Sequence, residues 1–165
     1  MSNRFAQFRE LTTLLSLPEL DVIIIADGSG TTADKPGGYT AVIWDRRINE
    51  VYELGGSLTH ATNNVVELAS FPHALWLVNR TEELRQGSKV GCISDSELTV
   101  KCGQGVYSRN SLGHLWASVE YFERKGVVFE WKWVPRNSNP LNAWCDKRSR
   151  EMRILMEPQV VSTQT

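Results

Sequence analysis

The chain of 165 residues is 41% apolar and 22% charged with a net charge of −1, the balance of a soluble globular protein of one domain. No apolar run approaches the roughly 20 residues that span a bilayer, and residues 1–10 lack the continuous apolar core of a secretion signal. Cys92, Cys102 and Cys145 are odd in number and show no C-x-x-C spacing, which argues against a zinc site or disulfide framework and for a reducing, cytoplasmic compartment.

In chain order, residues 3–17 place Phe5, Phe8, Leu11, Leu14 and Leu15 at helical spacing, predicting an amphipathic helix that Pro18 stops. Packing on the domain is its expected role, and binding a protein partner the minority alternative. Residues 21–27 read as a buried central strand, because the isoleucine-rich apolar run between Asp21 and Asp27 leaves no polar face. Gly37 and Gly38 turn into a second strand over 39–45, and 50–58 supplies a third, completing an antiparallel meander. From Thr62, a plausible N-cap, the period becomes helical through Val66, Ala69, Leu75 and Val78. Pro72 inside that pattern costs about 3 kcal/mol or bends the helix near Phe71.

Residues 89–95 form the fourth strand, 97–102 a short helix and 111–125 a longer one. Residues 127–134 alternate as a half-buried fifth strand, 135–140 form a loop, and 141–156 the final helix. The order β-β-β-α-β-α-α-β-α predicts an α/β fold: a five-stranded mixed sheet, an antiparallel meander plus two parallel strands, flanked by helices. The organisation is an N-terminal amphipathic helix extension over 1–20, one domain over 21–156, and a disordered tail over 157–165.

Charge is distributed unevenly. Between 124 and 153 eight basic residues face three acidic ones, so that segment is +5 and the remainder −6. A basic C-terminal third beside acids suits a phosphate backbone brought to metal ions, although such runs more often simply face water.

Four acids stand in separate contexts. Asp27 ends the first strand before Gly28-Ser29-Gly30; Glu67 follows Thr62-Asn63-Asn64; Asp95 ends the fourth strand; Asp146 sits in the last helix. With the first strand central and the fourth beside it, Asp27 and Asp95 end neighbouring strands, where open α/β sheets collect ligands. A shared cluster of carboxylates is costly unless cations neutralise it, and Mg²⁺ suits oxygen-only ligands. Singly, each acid reads more readily as a surface or capping residue; Asp146 also has helical neighbours with which to form i, i+4 pairs.

Together the segments Asp27-Gly-Ser-Gly30 with Gly37-Gly-Tyr39, Thr62-Asn-Asn-Val-Val-Glu67-Leu68, Ser94-Asp-Ser96 and Asn139-Pro-Leu-Asn-Ala-Trp-Cys-Asp146 resemble type 1 ribonuclease H over about residues 21–151. The resemblance implies hydrolysis of the RNA strand of an RNA–DNA hybrid, leaving a 5′-phosphate and a 3′-hydroxyl, with two Mg²⁺ ions per site and Mn²⁺ as the alternative. Carried over, Asp27 bridges both metals, Asp146 helps hold the one carrying the attacking water, and Glu67 and Asp95 hold the other. Asn63 and Asn64 fall to the hybrid's minor groove, Thr62, Glu97 and Arg136 join them as substrate-binding residues, and the backbone at Gly28, Ser29 and Gly30 would approach RNA, which suits glycine there. A monomer acting on hybrid, away from membranes, is the implied state.

Three departures stand out. The loop that usually carries a histidine reads Val134-Pro-Arg-Asn-Ser-Asn139, like one branch of the family, with Arg136 offering charge but no proton transfer. Glu97 stands where relatives often carry glutamine. Residues 101–110 hold only Lys101 and Arg109, so the basic handle of some bacterial relatives is absent and weaker hybrid affinity or a helper partner follows. Two other readings therefore stay open: a ribonuclease H-fold binding module that cuts slowly or not at all, and a nuclease acting on other nucleic-acid structures. Cys145 has no base partner in sequence, and Trp144 faces either core or nucleic acid.

Overall fold

The computed structural model describes residues 3–156; the tail expected to be disordered lies outside the described residues. The elements are α1 (Asn3–Leu14), β1 (Val22–Ser29), β2 (Gly37–Asp45), β3 (Glu50–Leu58), α2 (Asn63–Thr81), β4 (Lys89–Ser94), α3 (Glu97–Gly103), α4 (Gly113–Arg124), β5 (Val128–Trp133) and α5 (Pro140–Met156). The strands order as β3-β2-β1-β4-β5. The first three form the antiparallel meander, and β4 and β5 add in parallel. No described helix is long and apolar enough to cross a membrane.

The continuous apolar run of β1 is explained by cover on both faces. Val22, Ile24 and Ala26 point into a core built with Leu68, Phe71 and Leu75 of α2 and Trp116, Val119 and Phe122 of α4. Ile23 and Ile25 point the other way, against Phe8 and Leu11 of α1 and Leu141 and Cys145 of α5. Burying each such side chain stabilises the fold by about 1.5–3 kcal/mol relative to exposure.

The first helix packs on the domain as its spacing predicts, but it ends at Leu14, before Pro18. Ser16 adopts φ 51°, Leu17 N–H donates to the Thr12 carbonyl and Ser16 N–H to that of Thr13. This is a Schellman turn, which closes the helix without help from the proline. The next long helix starts where Thr62 predicts, its Oγ1 accepting from Val65 N–H, and continues on both sides of the buried Pro72. The last helix begins one residue earlier than expected, with Asn139 accepting from Asn142 N–H and Pro140 at the first helical position.

Because Phe8 is fully buried beside Trp44, with ring centroids 5.8 Å apart, Phe8→Ala should cost about 3–5 kcal/mol in urea denaturation. An unchanged midpoint would show that α1 is an appendage.

Candidate active site

Register and close packing assemble the site. Ala26 pairs with Ser94, so β1 and β4 deliver Asp27 and Asp95 side by side. The start of α2 is pressed on the end of β1: a Cβ on Gly28 would lie 2.6 Å from Glu67 N, and one on Gly30 would lie 2.9 Å from Asn63 N. These glycines let Glu67 approach Asp27, a packing need that the sequence-based expectation of close contact with RNA does not include. On the other face, Ser149 Oγ donates to the Asp27 carbonyl (3.0 Å) and pairs with Thr40 Oγ1 (2.7 Å), seating α5 on β1 and β2. That contact brings Asp146 to the same end of the sheet.

A pocket of about 470 Å³ results, lined by Asp27, Gly28, Ser29, Gly30, Asn63, Glu67, Asp95, Ser96, Arg136 and Asp146. Thr62, Asn64 and Glu97 lie outside that lining. Thr62 caps α2, the exposed Asn64 borders a separate small cavity beside α3, and Glu97 is ion-paired with Lys101 at 2.9 Å. Of the other loop cation, Arg109 is bound to the carbonyls of Cys102 and Gly103 and to Glu123, so it braces the fold. The indole of Trp144 packs beneath the Arg4 guanidinium at 5.0 Å, which turns it toward α1 and the core.

The acids fall into two environments. Asp27, Glu67 and Asp95 each present an oxygen within 4.8 Å of the others. Asp27 Oδ1 accepts from Gly28 N–H (2.9 Å) and Glu67 Oε1 from Asn63 Nδ2 (3.4 Å), while Asp27 Oδ2 and Glu67 Oε2 are buried with no hydrogen-bond partner. Burial, then the charge of Asp95, pushes the Asp27 carboxyl up to about 7. Burial, then the charges of Asp27 and Asp95, pushes Glu67 up to about 10. Orphaned, buried carboxylate oxygens converging on one point are the donor set of a hard divalent cation, and the residues present fit one. Asp146 is likewise buried, but Arg136 Nη2 and Arg150 Nη2 each donate to one of its oxygens at 3.1 Å.

Sequence reasoning does not find several of the supporting residues. Asn142, fully buried, donates from Nδ2 to Asp95 Oδ2 (3.3 Å) and accepts from Asn137 N–H (2.6 Å), tying the loop of Arg136 to the acid. Trp133 Nε1–H donates to the Asp95 carbonyl at 3.0 Å. The available signal for Asn142 is its spacing: one turn before Asp146, it shares that residue's helix face. Arg150 is one turn after Asp146, the i, i+4 arrangement that the sequence flags without naming this partner.

No family model and no curated protein matches the chain. Solved structures do. The N-terminal RNase H domain of Rv2228c from Mycobacterium tuberculosis aligns at TM-score 0.67 and 23% identity, covering 84% of this chain and 96% of that one. LC11-RNase H1, solved in complex with an RNA/DNA hybrid, aligns at 0.65 and 27% identity over 81% and 97% of the two chains. RNase H1 from Halobacterium salinarum aligns at 0.63 and 19% identity over 79% and 96%. The fold is ribonuclease H-like.

The electrostatics set a pH dependence. A carboxyl raised in the folded state contributes stability that is complete below its unfolded pKa near 4 and lost as pH rises through its folded value. Metal-free protein should therefore lose thermal stability between pH 5 and 8, as Asp27 is forced to ionise. Asp27→Asn should raise metal-free stability at pH 8 by on the order of 2 kcal/mol, and Mg²⁺ should stabilise wild type more at pH 8 than at pH 5. Differential scanning fluorimetry showing no gain for the variant would mean that the acids are not strained against one another.

Proposed function

We propose that this chain, a type 1 ribonuclease H-like protein, cuts the RNA strand of RNA–DNA hybrids endonucleolytically, leaving 5′-phosphate and 3′-hydroxyl ends. Two Mg²⁺ ions per site, or Mn²⁺ in their place, are the proposed cofactor. The observation that carries this reading is the convergence of Asp27, Glu67 and Asp95 with two buried oxygens unpartnered. It is joined by likeness to a structure solved on an RNA/DNA hybrid.

Divalent cations held there would supply the chemistry that activates a water and stabilises the departing oxygen of a phosphodiester. Asp27, Glu67 and Asp95 are the proposed holders, with Asp146 as the fourth ligand. Asn142 and Trp133 fix Asp95 through its carboxylate and its carbonyl. Asn63 accepts from Gly30 N–H (3.2 Å) and donates to Glu67, so it stiffens the pocket wall. Asn64, exposed on the next residue, is the amide left to meet base edges and 2′-hydroxyls in the minor groove. Arg136, whose side chain is 66% exposed at the pocket mouth, supplies fixed positive charge for the phosphate and stays protonated throughout.

A second reading, a binding module that holds hybrid without cutting it, is favoured by one observation: both oxygens of Asp146 are already neutralised by arginines. An end-labelled hybrid incubated with Mg²⁺ or Mn²⁺ separates the two. Wild type should cut the RNA strand and spare single-stranded RNA and duplex DNA, and Asp95→Asn should lose on the order of a hundredfold or more in rate. Hybrid bound but uncut in both metals supports the binding module; equal cutting by Asp95→Asn removes the site from the chemistry.

A further inference from the structure

The pocket is electrostatically divided. Among the described residues its Asp27, Glu67 and Asp95 side makes no ion pair and leaves two acid oxygens without a hydrogen bond, while Asp146, on the same pocket wall, is ion-paired twice. Asp146 is 4% exposed, yet the side chains that neutralise it are 66% exposed at Arg136 and 52% at Arg150. The guanidiniums can thus swing off the acid into water or onto a ligand without opening the core, whereas the acid itself cannot move from its helix. A guanidinium and a divalent cation compete for the same carboxylate oxygen. A phosphodiester competes with that carboxylate for the guanidinium, in the bidentate geometry that arginine favours.

We infer that Arg150 withholds Asp146 from metal: one cation site forms among Asp27, Glu67 and Asp95 alone, and Asp146 joins as a ligand only when a phosphate backbone draws Arg150 away. Arg150 is a positioning residue in this account. It rests on the reading of the pocket as a nucleic-acid site, and it couples the two ligands. Phosphate strengthens cation binding at Asp146, and by thermodynamic reciprocity the cation at Asp146 strengthens phosphate binding. Arg136 adds to the same effect, but Arg150 is the cleaner handle because it lies outside the pocket lining, on the turn of α5 after Asp146.

The test is Mn²⁺ binding, followed by the electron paramagnetic resonance signal of free Mn²⁺, with no turnover required. Arg150→Gln should tighten a second class of Mn²⁺ site by about fivefold or more and leave the first class unchanged. Arg150→Lys, which keeps the charge, should stay near wild type, and adding Asp146→Asn to Arg150→Gln should abolish the gain. A short DNA duplex at low salt, saturating wild type, should reproduce the tightening. An Arg150→Gln isotherm identical to wild type, a gain that survives Asp146→Asn, or no effect of the duplex on wild type would each overturn the inference. Because binding is read apart from cleavage, wild type that binds Mn²⁺ as described but leaves hybrid uncut would refute the nuclease reading alone.

Discussion

Three carboxylates are forced together where they repel. At about 4 Å and an effective dielectric of 20, each ionised pair costs several kcal/mol, and burial adds a desolvation penalty. Among the described residues no ion pair offsets this at Asp27 and Glu67; Gly28 N–H and Asn63 each reach one oxygen and the outer oxygens have no partner. The rest of the molecule can be understood as the apparatus that holds this arrangement against its own electrostatics. An uncompensated buried cluster in an otherwise well-packed protein marks a place where a ligand completes the structure.

The holding is mechanical. Both apolar layers grip β1, so the strand that carries Asp27 cannot yield. The missing side chain at Gly28 lets α2 press Glu67 inward, and the Thr40–Ser149 pair fixes the depth of α5. Asn142 then joins β4, the Arg136 loop and α5 at one buried amide. Each of these elements arrives from a different part of the chain, so local fraying of any one would loosen the site.

The sheet and its order are legible in the residues because period and apolarity change at the element boundaries, and because Thr62 marks the start of the long second helix. The three clustered acids are legible for a related reason: strand ends and a capped helix leave their backbone little freedom. What is not legible depends on geometry between distant segments. The end of α1 is set by a left-handed Ser16 rather than by the conspicuous Pro18. The glycines at 28 and 30 also answer to a helix far along the chain, a packing need with no local signal. Trp144 turns toward α1 because Arg4 covers it, and Asp146 is enclosed by arginines that a linear reading can suggest only as helical neighbours.

The central claim is that Asp27, Glu67 and Asp95 form a cation site. Anomalous diffraction from crystals soaked in Mn²⁺ measures it most directly. A Mn²⁺ peak bonded to Asp27 Oδ2, Glu67 and Asp95, the acids without an ion-pair partner among the described residues, is the expected result. At saturating Mn²⁺, an empty cluster, or a peak at Asp146 alone, would contradict it.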